Sequence, residues 1–310
     1  RDDADAANEQ LGNEGWWSTG VFYEVFVRSF QDSNGDGIGD LAGLISRLDY
    51  LNDGNPSTTT DLGVTALWLM PIHPATSYHG YDVTDYYAIN PEYGSMEEFR
   101  LFLDECHERG VRVIIDLVIN HTSVEHPWFS AAKNPDSPYR NWYIWSDGFR
   151  GGGWHHSGSS YYYGNFWAGM PDLNLENPLV VEEIESIASF WLTQVGVDGF
   201  RLDAAKHLVD ASGVRQHSPQ TLDFLDSFSS YIRSLKSDAL LVAEVWDSSV
   251  MAERYLEAGA DLTFSFDRAS GVLIAANNGR AREYEYAVVR DLELLGTTGA
   301  ATFVTNHDQD

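Results

Sequence analysis

Short apolar runs alternate along this chain with stretches in which apolar residues recur at helical spacing. The runs Val21–Phe30, Val64–Ile72, Val111–Ile119, Val197–Ala205, Ala239–Trp246, Leu262–Phe266 and Ala301–His307 read as strands. The stretches Leu41–Leu51, Ser95–Arg109, Leu179–Val195, Ser218–Ser237, Ser248–Ala258 and Gly271–Leu295 read as helices between them. Near-continuous apolar runs mark strands buried on both faces of a parallel sheet. Their regular alternation with helices gives βαβ units. Asp40 suits a helix N-cap, Ser95 and Glu98 stand at capping-box spacing, and Gly110 suits a helix stop. The expected fold is α/β, a (β/α)8 barrel. Such a barrel closes with eight strands, and the pattern supplies seven. The eighth strand and any C-terminal domain are therefore expected in the remainder of a longer protein, packed against this part as its partner.

The alternation breaks after residue 120. From His121 to Pro178 the chain is rich in Trp, Tyr, Gly, Ser and Asn and has little periodicity. A structureless loop of that length does not suit a compact domain, so an inserted subdomain is expected. The predicted organisation is residues 1–120 as the first part of the barrel, 121–178 as the insertion, and 179–310 as the barrel's continuation.

Three of the strand-like runs end in a carboxylate: Asp203, Glu244 and Asp308. The run Val111–Ile119 ends in Asn120-His121. Catalytic groups of a parallel barrel sit at the C-terminal ends of its strands. These residues are thus expected on one rim, with Arg201, His121 and His307 beside them. A single carboxylate beside an apolar run is ordinarily a cap or a solvated loop residue. Three at strand ends point to one pocket. Arg201, two residues before Asp203, shares its strand face, where a cation favours an ionised carboxylate.

Composition narrows the field. The chain has 310 residues, 47 acidic against 19 basic, and a net charge of −28. Only Lys133, Lys206 and Lys236 are lysines. Such a surface excludes a polyanionic partner, so no nucleic acid is expected. The charge also fits adaptation to high salt, where self-repulsion is screened. No apolar stretch is long enough to span a membrane. Cys106 is the one cysteine and lies in a helix-like stretch, which makes it a core residue rather than a nucleophile. Aromatic residues make up 13%; most belong to the core, and a minority suits stacking on sugar rings.

Asp32, Asn34, Asp36, Ile38 and Asp40 place hard oxygen donors at every second position, with glycines between them. Ca2+ prefers such carboxylate, amide and carbonyl oxygens, and Ile38 would offer its backbone carbonyl. The twelfth position of a true EF-hand loop would be Glu, and here it is Gly43. The alternative is a turn held by its own Asx side chains.

The strand-end segments resemble the four motif regions of the α-amylase family, glycoside hydrolase family 13. Asp116-Leu-Val-Ile-Asn-His121 is similar to the first, Gly199-Phe-Arg-Leu-Asp-Ala-Ala-Lys-His207 to the second, Glu244-Val-Trp246 to the third and Phe303-Val-Thr-Asn-His-Asp308 to the fourth. They occur in family order and span nearly the whole chain. Met170-Pro-Asp-Leu-Asn174 resembles the insertion motif of a group between oligo-1,6-glucosidases and neopullulanases. The resemblance implies Asp203 as nucleophile, Glu244 as general acid/base and Asp308 as the carboxylate that grips the distorted sugar. It implies substrate-binding roles for Tyr81, Asp82, His121, Arg201, Lys206, His207, Trp246 and His307.

The resemblance also implies retention of anomeric configuration, for which the two reacting carboxyls stand about 5–5.5 Å apart, and a general acid whose pKa is raised. It supports the calcium reading of the Asp32–Asp40 loop. It implies a second Ca2+ at Asn120, Asp172 and the His207 carbonyl. Exo-acting α-glucosidases of the family tend to carry an Asp three residues before the stacking Tyr; here that position is Tyr78. The expected activity is therefore endo-acting hydrolysis of α-1,4-glucans by a secreted enzyme. A cyclomaltodextrinase or neopullulanase type is the alternative among enzymes, and a non-catalytic glycan binder the alternative outside them.

Overall fold

The computed structural model describes residues 15–210 and 214–308. Its main sheet is built from β1 (Phe22–Val25), β2 (Ala66–Leu69), β3 (Arg112–Leu117), β7 (Gly199–Leu202), β8 (Leu240–Ala243), β9 (Leu262–Phe264) and β10 (Ala300–Ala301). These strands run parallel in the order β1-β2-β3-β7-β8-β9-β10. Phe22 pairs with Ala66, Ala66 with Arg112, Ile114 with Gly199 and Gly199 with Leu240. The result is a curled seven-stranded sheet with helices outside it, a truncated (β/α)8 barrel. Between β3 and β7 a small antiparallel sheet of β4 (Trp145–Ser146), β5 (Trp154–Ser157) and β6 (Ser160–Tyr163) has the order β4-β6-β5.

Strand alternation sorts the core into two layers. Leu67, Leu69, Val113, Ile115, Phe200, Leu202, Leu241 and Ala243 belong to the large cluster packed beneath the outer helices. Trp68, Ile114, Leu240, Val242 and Leu262 point the other way and fill the barrel interior. Burying one such aliphatic or aromatic side chain contributes about 1.5–3 kcal/mol. Asp116, Arg201 and Asp203 fall on that inner alternation, and Glu244 follows it just past the end of β8. Polar groups at those positions displace apolar packing and cost desolvation, so the strands place them where the barrel opens rather than at its base.

Several predicted boundaries differ. The first strand ends at Val25, and Val27–Phe30 is a helical turn. Gly39 N–H donates to the Arg28 carbonyl at 2.7 Å, drawing the following loop back over that turn. The Leu41–Leu51 stretch is two short helices, Leu41–Ile45 and Leu48–Leu51. Ser46 Oγ donates to the Gly43 carbonyl at 2.6 Å where the first one ends. The helix starting at Pro178 becomes a π-helix over Phe190–Val195 and stops at Gly196, whose φ is +102°. There the buried Trp191 donates its indole N–H to the Tyr86 carbonyl at 2.8 Å. Residues 266–294 form two helices broken at Gly279. The last strand is shorter than expected, because only Ala300 and Ala301 pair with β9. The capping box at Ser95 and Glu98 is formed, and Asp40 caps its helix through Gly43 N–H. Cys106 is fully buried, and burial pushes its thiol pKa up.

Candidate active site

A single guanidinium organises the rim. Arg201 Nη1 lies 2.5 Å from Asp116 Oδ1 and 2.8 Å from Asp203 Oδ1, and Nη2 lies 3.1 Å from Glu244 Oε2. Three neighbouring strands supply these groups. The fit between β7 and β8 depends on Gly199, where a Cβ would stand 2.1 Å from the Leu240 carbonyl oxygen. Glu244 N–H donates to the Leu202 carbonyl, and Glu244 Oε2 accepts from Ala204 N–H at 2.7 Å. The Arg201 side chain is fully buried, flanked by the Trp68 and Tyr81 rings at 5.2 and 5.6 Å.

The electrostatics correct one expectation. Arg201 on its own would keep Asp203 ionised, but here it faces three carboxylates. Burial pushes Asp203 up to about 7; Arg201 opposes the shift, while Glu244 and Asp116 reinforce it. Burial likewise raises Asp116 against the pull of Arg201. Groups this close titrate as a cluster rather than singly.

Tyr81 closes one side. Its hydroxyl donates to Asp116 Oδ2 at 3.3 Å and lies 2.8 Å from His307 Nε2, and the two rings stack. His307 Nδ1 is 2.5 Å from Glu24 Oε1 on β1. Burial lowers the His307 pKa, but the bond and charge of Glu24 outweigh it, and the net direction is up. Asp308 stands apart from the Arg201 cluster. Its carboxylate is 3.3 Å from His307 Nε2 and half-exposed. His121 Nε2 meets the Tyr81 carbonyl at 3.1 Å, and burial pushes its pKa down to about 4, so it is a neutral imidazole. Asp82 is buried, with its carboxylate held by Thr76 and Ser77, where it shapes the turn that presents Tyr81.

On the other side, Phe166, Ala204, Lys206, His207, Glu244 and Trp246 line a cavity of about 240 Å³. Lys206 Nζ donates to the Trp246 carbonyl at 2.6 Å, and the half-exposed Trp246 ring stacks on Phe266. Phe166 makes T-shaped contacts with both His121 and His207. Asp116, Glu24 and Phe166 were not singled out as site residues from the sequence. Strand alternation marks Asp116, which shares a face with Ile114. Nothing local marks Glu24 or Phe166.

Among the described residues, no three His, Cys, Asp or Glu side chains converge as a metal-ligating group, so a cation would rest on mixed oxygen donors. In the first loop the Asp32 carboxylate accepts from Asn34, Gly35 and Gly37 N–H, and Asp36 Oδ1 accepts from Ile38 N–H. Asp40 accepts from Gly43, Ser33 N–H and Ser33 Oγ. These bonds hold the turn by themselves: Asp32 Oδ1 and Asp40 Oδ2 already accept two each, while Asp32 Oδ2, Asp36 Oδ1 and Asp40 Oδ1 accept one. At the insertion, Asn120 Oδ1 is buried without a hydrogen-bond partner, and burial pushes the adjacent Asp172 up to about 7. An orphaned buried acceptor beside a desolvated carboxylate is the donor set a hard cation satisfies.

The model of the alpha-amylase catalytic domain matches residues 24–310. "Alpha-amylase 3" of Dictyoglomus thermophilum is 45% identical over 309 residues, covering 96% of this chain and 58% of its own length. An oligo-1,6-glucosidase of Parageobacillus thermoglucosidasius is 40% identical over 222 residues, covering 66% of this chain and 38% of its own length. The crystal structure of an alpha-amylase from H. orenii superposes with a TM-score of 0.84 at 45% identity, covering 94% of this chain and 62% of that one. The chain thus spans little more than half the length of these amylase relatives. With the strand-end carboxylates Asp116, Asp203 and Glu244 gathered around Arg201, the chain belongs to the alpha-amylase catalytic-domain family of glycoside hydrolases.

Proposed function

We propose that this chain carries the catalytic machinery of a retaining, endo-acting hydrolase of α-1,4-glucosidic bonds in starch and maltooligosaccharides. The observation that carries the reading is the shared guanidinium of Arg201, which binds Asp203 and Glu244 at once. Two carboxyls tethered to one fork are held close to each other, as the short separation of a retaining mechanism requires. Asp203 attacks the anomeric carbon as Glu244 protonates the departing glycosidic oxygen. A covalent glycosyl ester on Asp203 results. Glu244 then takes a proton from water, the water displaces Asp203, and the starting configuration is restored. Asp308 and the neutral His121 are the partners for sugar hydroxyls.

Endo-action is supported by an open surface: Tyr78, where chain-end binders tend to have an Asp, is 69% exposed. Calcium, at Asp32, Asn34, Asp36, Asp40 and the Ile38 carbonyl, with a second ion at Asn120, Asp172 and the His207 carbonyl, would fasten the first loop and the insertion to the barrel. Calcium use and a polymeric substrate would suit a secreted enzyme. Relatives named trehalose synthase and oligo-1,6-glucosidase keep other glucosyl linkages in view. Amylopectin that loses its iodine colour well before reducing ends accumulate, with NMR showing release of the α-anomer, is the expected result. A strong preference for cyclodextrins would shift the reading to a cyclomaltodextrinase, and release of the β-anomer would end it. Asp203→Asn should lower kcat by at least about a thousandfold.

A further inference from the structure

The cavity beside Glu244 has two walls from different strands. Lys206 and His207 follow β7, and Trp246 follows β8. A closed ring of bonds joins them. Lys206 Nζ donates to the Trp246 carbonyl at 2.6 Å. Asp247 is the next residue, and its Oδ2 lies 3.2 Å from His217 Nε2. The backbone N–H of His217 donates to the Lys206 carbonyl at 2.8 Å, which completes the circuit.

His217 is braced from behind. Its Nδ1 lies 2.9 Å from the hydroxyl of the fully buried Tyr255. With the tyrosine donating to Nδ1, Nε2 carries the hydrogen and points it at Asp247. His217 also has φ +55°, a left-handed conformation that non-glycine residues seldom adopt. Ser218, next in the chain, caps the helix Pro219–Leu235, and that helix entry needs only the backbone turn. It does not need an imidazole aimed at Asp247. A strained non-glycine residue whose side chain closes a ring around a cavity is over-determined by its surroundings, the usual condition for strain to persist at a functional site.

We propose that His217 is a positioning residue for the leaving-group side of Glu244, fixing Lys206 and Trp246 at the separation that receives a sugar leaving group. The inference rests on the hydrolase reading above. His217 touches no reacting atom and acts through Asp247 and the Lys206–Trp246 bond. Breaking the ring should therefore tell on substrates whose leaving group is a sugar. It should leave little mark on those whose leaving group is too small to fill the cavity.

The test uses the full-length protein and His217→Gly, which suits the left-handed backbone while removing the side chain. Maltopentaose, with a sugar leaving group, is compared with α-maltosyl fluoride, whose fluoride fills no acceptor cavity. The variant should lose about five- to tenfold in kcat/KM on maltopentaose, the scale of one net hydrogen bond, and less than about twofold on the fluoride. Asp247→Asn should reproduce the split, and the double variant should lose no more than either single one. Equal losses on both substrates, or none on maltopentaose, would overturn the proposal. Hydrogen exchange reads the ring without turnover. Residues 204–208 and 245–248 should loosen together in His217→Gly, and unchanged exchange there would overturn the proposal even if the wild-type protein cleaves neither substrate. That last outcome on turnover would count against the hydrolase reading alone.

Discussion

His307 and Glu24, 283 positions apart in the chain, meet at 2.5 Å between Nδ1 and Oε1. Glu24 belongs to the first strand of the sheet and His307 follows the last. The pair joins the two edges of the curled sheet at the rim, and it turns the other face of the imidazole to Tyr81. Glu24→Gln should lower the His307 pKa, because the charge that helps offset burial is lost. The sign follows from linkage: a histidine raised in the folded state contributes stability at low pH that is lost as pH rises through its folded pKa. Titration of the imidazole by NMR in both proteins checks this. An unchanged midpoint would show that Glu24 does not hold the ring.

Arg201 is the second point of leverage. Arg201→Lys keeps the charge but not the fork that reaches Asp116, Asp203 and Glu244 together. Unpairing a buried carboxylate of this kind costs about 2–5 kcal/mol, so kcat should fall about 30- to several thousandfold. Asp116→Asn should lower kcat through the same guanidinium without touching substrate. Steady-state kinetics, with circular dichroism to confirm folding, separates this from loss of structure.

Three buried histidines oppose protonation in the folded state. His73, His121 and His126 are each pushed down to about 4 by burial, whereas an unfolded histidine titrates near about 6.5. Between those values the unfolded chain binds more protons than the folded one. Stability from these groups therefore falls as pH drops from about 6.5 towards 4. Urea midpoints measured across that window should show it, and His73→Gln should make the slope shallower.

Asp172 acts in the opposite direction. Burial raises it to about 7, so over roughly pH 4 to 7 the folded state holds the extra proton. In chelator, wild-type stability relative to Asp172→Asn should fall with rising pH by about 1.4 kcal/mol per unit in that window. Added Ca2+ should abolish the slope by stabilising the ionised carboxylate, and at one hundred times its dissociation constant it should add about 2.7 kcal/mol. A slope indifferent to Ca2+ would remove Asp172 from the proposed ligand set.

The linear order of residues by itself determined the parallel α/β architecture and the strand-end placement of Asp203 and Glu244. Periodicity is local, and a period of two places every second side chain on one face whatever surrounds the strand. Arg201 was legible for the same reason. Element ends were less legible: Gly279 splits a long helical pattern, and a turn of helix follows Val25, because breaks depend on what packs around them. Only the tertiary structure decided that Asp116 shares the guanidinium, that burial raises the Asp203 pKa, and that Glu24 and His217 reach across the fold to His307 and Asp247. Those outcomes depend on burial and on contacts between distant strands, and neither is encoded in the spacing of neighbouring residues.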